Sequence, residues 1–211
     1  MSNNYYVSNE KREDTEMSNR DGVGGLYDNR YEGSSYLYEE RISIKDKEDF
    51  QNGVFVLSGE IDDKGASALI FKVLAFKEQD PQRPMKLYIN CDGGSVTAGM
   101  AIYDTLCFIS NQVSTIAVEK VSGIAALILA AGEKNMRRAY RGTQLSLGHF
   151  YAKPYAELGP EVLSTMEKII ELFAKHTGRT VEEIRELIAL GAILEPREAI
   201  AFGFVDEETE D

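Results

Sequence analysis

The chain is short of cysteine, of positive charge and of long apolar runs, and each shortage closes a class of function. Its two cysteines, Cys91 and Cys107, cannot build a disulfide framework in 211 residues. There is no CxxC pair and no Cys/His cluster with zinc-ligand spacing, so neither a metal nor a cofactor is expected. Lys and Arg number 23 against 35 for Asp and Glu, a net charge of −12. A chain this acidic lacks the basic face that a phosphate backbone or an anionic membrane demands, which argues against both as partners. The longest apolar run, Ile124 to Ala131, is far below the ~20 residues of a spanning helix. Met1 to Glu16 is polar and acidic, unlike a secretory signal with its apolar centre. A cytoplasmic protein with reduced thiols is the expectation.

What is present suffices for a core, since 43% of the residues are hydrophobic. The first 40 residues hold nine acidic and four basic side chains and six of the eleven tyrosines, with no helical or strand period. Residues 1–52 are therefore expected to form an acidic, Tyr-containing tail, disordered or ordered by a partner, before a domain over 53–211. From Gly53 the rhythm changes. Val54–Leu57 reads as a buried strand, and Asp62 or Asp63 can cap a helix whose apolar stripe is Ala66, Leu69, Ile70, Val73 and Leu74. Met85–Asn90 is a second strand, followed by a turn through Gly93 and Gly94 and a helix to about Ile109. Val113–Val118 is a third. Gly123 to Ala131 has no polar face and must be a helix buried on every side.

Two short strands are expected at Arg137–Arg141 and Gln144–Phe150. Pro160 then opens a helix that Gly178 ends. Thr180 and Glu183 form a capping box, and Pro196–Phe202 reads as a last helix. Strand and helix alternate, so the fold class is α/β with a largely parallel core.

Several strings resemble the proteolytic subunit of the Clp protease, the ClpP family. They are LYINCDGGSVTAGMAIYD over Leu87–Asp104, VSTI at Val113–Ile116, LAAG at Leu129–Gly132, HTG at His176–Gly178, and the ending Glu198–Asp206. The resemblance spans about residues 53–206 and implies a ClpP/crotonase-like superhelix of β-α units around a buried central helix. It also implies a ring that works with an AAA+ unfoldase and degrades unfolded proteins.

The chemistry departs from that pattern. A serine peptidase needs a nucleophile, a base, an orienting acid and an oxyanion hole. In the family the serine opens the buried helix, and the matching string VSGIAA places Gly123 there. The family's histidine falls on Gly148 of SLGHF, and its aspartate on Gly191. All three are glycine. The oxyanion-hole positions, which use main-chain N–H groups, fall on Gly94 and Ile124. Ser122 and His149 stand beside two of these glycines, but they are displaced in opposite directions. In a strand running through residue 149, moreover, the imidazole would turn to the other face.

The handle between stacked rings is shortened here, and the family's Asp-Arg pair is missing at Gly191–Ala192. Tyr88, Phe108, Ile116 and Val118 match apolar positions of the cleft that docks unfoldase loops, whereas Lys86 and Arg138 replace aromatics. The resemblance thus implies a non-catalytic, ClpR-like subunit that joins copies of itself or an active ClpP paralogue in a ring, with altered unfoldase docking. Two alternatives stay open: a peptidase relocated to Ser122 and His149, and a crotonase-like binding protein that uses the Gly94 and Ile124 N–H groups.

Overall fold

Among the described residues, seven helices and seven strands build a mixed α/β fold around one largely parallel sheet. They are seen in a computed structural model that describes residues 44–148, 150 and 159–210. In chain order they are α1 (Ile44–Gln51), β1 (Val54–Ile61), α2 (Asp63–Gln79), β2 (Met85–Gly94), α3 (Val96–Phe108), β3 (Val113–Ser122) and α4 (Ile124–Ala130). Then follow β4 (Arg137–Tyr140), β5 (Gln144–Ser146), α5 (Pro160–Thr177), α6 (Val181–Ala189), β6 (Ile193–Leu194), α7 (Pro196–Phe202) and β7 (Glu207–Thr209). The main path runs β1-β2-β3-β4-β7, all parallel. β5 continues beside the end of β3 and takes β6 as an antiparallel partner.

The alternation of strand side chains sorts the sheet into two faces. Leu87 and Ile89 of β2 enter the core with Val73 of α2 and Ile102 of α3. The opposite face carries a row set by register: Val56, Tyr88, Ile116, Arg138 and Glu207. α4 is the centre of the packing, and every one of its seven residues is at most 1% exposed. It can lie that close to α3 because Gly99 has no side chain. A Cβ there would come within 2.5 Å of the Ile124 side chain.

The helix signals in the sequence act as expected. Asp62 accepts from the Gly65 N–H at 2.6 Å and caps α2. Thr180 and Glu183 close the capping box of α6, and Gly178 ends α5 in the left-handed conformation.

A buried arginine joins three helix ends. Arg137 at the start of β4 pairs with Asp206 through Nε at 2.9 Å and Nη2 at 2.5 Å. Its Nη1 donates to the carbonyls of Gly203 at 2.8 Å, His176 at 3.1 Å and Ala130 at 3.4 Å. These carbonyls lie at the C-terminal ends of α7, α5 and α4, where unpaired acceptors and the negative end of the helix dipole favour a cation.

Several boundaries differ from the sequence expectation. The compact unit runs over Ile42–Asp211 and takes in α1, which a boundary at 52/53 leaves in the tail. Phe50 holds α1 down in an edge-to-face trio with Phe55 and Phe76, centroids 5.6–6.3 Å apart. β2 does not end at Asn90. It runs on through Gly94, with a register shift past Ile89 that matches the positive φ of Glu119 in β3. β5 stops at Ser146, because the Leu147 N–H turns to the Ala192 carbonyl at 3.0 Å. The acidic end forms β7, where Arg138 pairs with Glu207 and Arg141 with Glu208 across the ladder. The tail proper and the shortened handle fall on residues 1–43 and 151–158, outside the described residues.

His176 supplies a pH-dependent link. Its Nε2 shares a hydrogen bond with the Tyr103 hydroxyl at 2.9 Å, joining α5 to α3. Burial lowers its pKa to about 4, helped by Lys175 and Arg137, while burial pushes the Tyr103 phenol up. The unfolded chain takes up the His176 proton near 6.5, so the native state loses stability as pH falls from about 6.5 towards 4. His176→Gln is expected to flatten that part of a urea-unfolding pH profile. An unchanged slope would show that other groups set it.

Candidate functional site

The turn between β3 and α4 is a single residue, Gly123, with φ 55° and ψ −125°. A sharp strand-to-helix turn of this kind is how α/β hydrolases expose a nucleophile above the sheet, and the strain is normally borne by the serine itself. Here the residue has no side chain, and the backbone angles cost it little. Its N–H donates to the Ser146 carbonyl at 3.0 Å, so the end of β5 fixes the elbow. The next N–H, that of Ile124, opens the helix and has no intrahelical acceptor.

The other two glycines lie around the same strand end. A Cβ placed on Gly148 would stand 3.3 Å from the Gly191 Cα, so the two backbones touch. They are held there by the β5–β6 pairing, Leu145 with Leu194 and Ser146 with Ile193. Gly191 has a second reason to be glycine. At φ 58° it ends α6 in a Schellman motif, with its own N–H on the Ile188 carbonyl and that of Ala192 on Leu187.

From the other side, the end of β2 closes in. Gly93 and Gly94 have φ 92° and 130°, and a Cβ on Gly93 would lie 3.1 Å from the Ser122 carbonyl. Gly93 therefore backs directly on the elbow. Its N–H donates to the Cys91 sulfur at 3.4 Å, and Cys91 Sγ in turn donates to the Gly93 carbonyl at 3.5 Å. Burial raises the Cys91 thiol, so this sulfur is a structural contact rather than a thiolate nucleophile. Gly94 pairs with Ile61 of β1.

The structure thus brings Gly123, Gly148, Gly191 and the Gly93–Gly94 turn to one place. At none of these five positions is there a nucleophile, a base or a carboxylate. Of the charges at these strand ends, Lys120 pairs with Asp92 at 2.7 Å and Glu119 accepts from Asn90 at 3.2 Å, while the Glu60 side chain at the end of β1 packs beside Gly94. Ser122 is buried within β3 and sits in register with Ser146, whose buried hydroxyl has no hydrogen-bond partner among the described residues. His149 lies outside the described residues, and because β5 ends at Ser146, strand alternation does not fix its direction. No cluster of three metal-ligating side chains occurs among the described residues, and none of their helices is long and apolar enough to cross a membrane.

The four docking positions do not form one group within the chain. Tyr88 and Ile116 are neighbours in the non-core row, and Val118 follows on the same face of β3. Ile116 is 4% exposed and offers little surface. Phe108 is instead at the end of α3, 74% exposed, with the Lys77 ammonium 5.9 Å from its ring centre.

Comparison with known proteins fits this architecture. The family model described as Clp protease matches residues 39–210. One relative, the ATP-dependent Clp protease proteolytic subunit 1 of Thermobifida fusca (strain YX), is 31% identical over 189 residues, covering 84% of this chain and 85% of the relative.

Proposed function

On the premise that the chain belongs to the Clp protease family, we propose that it is a non-catalytic, ClpR-like subunit of an ATP-dependent proteolytic ring. The observation that carries this reading is the elbow: Gly123, which the motif resemblance sets at the family's nucleophile position, makes a sharp strand-to-helix turn and carries no side chain. Glycines at the base and acid positions support it. An enzyme that loses its triad keeps only a residual rate, on the order of 10³–10⁴ over water, from the oxyanion hole and binding.

In this reading the chain fills ring positions, and a serine-bearing paralogue in the same cytoplasmic complex supplies hydrolysis. An AAA+ unfoldase docks on the face of Tyr88 and Val118. Lys86, which has no ion-pair partner among the described residues, and Arg138, held by Glu207, make that face a weaker seat for an apolar loop.

The test is hydrolysis of a fluorogenic peptide and labelling with a fluorophosphonate. The purified chain is expected to do neither, and a ring containing a serine-bearing paralogue to do both. Peptide cleavage by the chain alone that stops with Ser122→Ala would establish the relocated peptidase instead. Tight binding of a thioester without cleavage would favour the crotonase-like alternative.

A further inference from the structure

The last strand is held differently from the rest of the sheet. Among the described strands, each of the others sends at least one side chain into the buried interior, and β7 sends none. Its residues and the Glu210 that follows carry no aliphatic or aromatic side chain. What holds it to β4 is main-chain pairing and charge. Glu207 pairs with Arg138, Glu208 with Arg141 at 3.3 Å, and Glu210 with Arg141 again. These pairs lie at the surface, with the Arg141 side chain 72% exposed, so each is weak and screened by salt.

The residues just before β7 are fixed in the opposite way. Phe204 and Val205 are at most 1% exposed, and Asp206 binds the Arg137 guanidinium and gives its N–H to the Arg137 carbonyl at 2.8 Å. Opening that begins at the tip of β7 therefore stops at Asp206 and leaves the core closed. It uncovers the free side of β4, whose other side is paired with β3. An uncovered edge is a template for another strand. The segment now seated there shows what fits: an extended chain with carboxylates at its first, second and fourth positions, the first on Arg138 and the others on Arg141.

We infer that β7 is an exchangeable strap, and that the β4 edge beneath it docks an acidic, extended segment of a partner protein. The partner's segment becomes the last strand of the sheet and takes over Arg138 and Arg141, while residues beyond Asp206 swing out. Because β7 is tethered, it competes at a high effective concentration. A free segment therefore binds the closed chain weakly, and whatever loosens β7 raises the affinity in proportion to the open fraction. No residue of the elbow takes part, so this inference and the proposed function fail separately.

Two measurements on the full chain test it. Hydrogen exchange needs no variant: raising salt from about 0.02 to about 0.5 M should speed exchange at Glu208 and Thr209 at least about tenfold and leave α4 unchanged. Fluorescence anisotropy then uses a labelled peptide, Asp-Glu-Glu-Thr-Glu, with circular dichroism as the check of folding. The combined variant Glu207→Gln, Glu208→Gln and Glu210→Gln should bind it at least about tenfold more tightly than the unaltered chain. Adding Arg141→Ala should remove that gain. The all-D peptide, equal in charge but of the wrong hand for a strand, should bind neither chain. Protection at Glu208 and Thr209 that matches α4 at both salt concentrations overturns the inference. So does equal binding of the two peptides, or a loosened variant that binds no better than its parent. Self-association of the unaltered chain that the peptide dissolves would place β7 of a second copy on this edge and overturn the assignment to a different protein.

Discussion

Arg137→Ala is expected to destabilise the fold by about 3–5 kcal/mol, the cost of stranding one partner of a buried ion pair. Arg137 is 5% exposed, and loss of its guanidinium leaves the Asp206 carboxylate and three helix-end carbonyls short of a donor. Against a typical total of about 5–15 kcal/mol, this is a large fraction. Calorimetry should show a fall in Tm of about 10 °C or a chain already unfolded at 37 °C. Arg141→Ala is the control: it removes an exposed arginine that pairs with Glu208 and Glu210, and should cost well under 1 kcal/mol. Equal losses for the two arginines would show that the three helix ends do not depend on Arg137.

The same pair sets an acid limit. Burial pushes the Asp206 carboxyl up, but hydrogen bonds from the Arg137 side chain and main chain outweigh this and hold it below the usual carboxylate range. Its contribution is therefore complete above the unfolded value of 3.8 and is lost as pH falls through the lower native value. That window lies below the one assigned to His176, so an acid titration should show two separate losses, and Asp206→Asn should remove only the lower one.

How much of this was legible in the sequence depends on what holds each element. Elements stabilised by their own pattern were readable: the all-apolar α4, the capped α2 and α6, and the short buried strands. Elements stabilised by distant partners were not. α1 reads as a charged stretch, IKDKEDFQ, and is anchored through Phe50 on two phenylalanines far along the chain. β7 reads as an acidic end and is a strand because β4 presents Arg138 to it and Arg141 follows. The passage of β2 through Cys91–Gly94 was hidden for a different reason. Gly-Gly ordinarily signals a turn, whereas here it permits backbone approach that any side chain would block.

At the site, alignment by motif placed Gly123, Gly148 and Gly191 in the family's catalytic positions, and the fold gathers them around the end of β5. The contact of Gly93 with the elbow, its bonds to Cys91 and the helix-stop role of Gly191 had no signal in the sequence. They arise from main-chain geometry, which residue identity restricts but does not spell out.

That geometry makes Gly94→Ala the sharpest probe of the elbow's support. A Cβ at Gly94 would lie 2.4 Å from the Ile61 carbonyl and 2.6 Å from its nitrogen, both backbone atoms that cannot swing aside. Its φ of 130° adds a conformation that L residues avoid. Gly142 separates the two costs: its φ is 83°, but nothing lies within 4 Å of its Cβ position. Gly142→Ala should therefore cost only the dihedral strain, about 1–2 kcal/mol. Gly94→Ala must also part β1 from β2 at the point where they brace Gly93 against Ser122. Adding the roughly 1–3 kcal/mol of an overpacked site brings the expected loss to about 2–5 kcal/mol. Urea unfolding of the two variants measures the difference. Hydrogen exchange should place the added opening in β2 and the β3–α4 turn rather than across the whole sheet. A Gly94→Ala loss no larger than that of Gly142→Ala would mean that β1 yields without cost, and that the tight β1–β2 contact does not support the elbow.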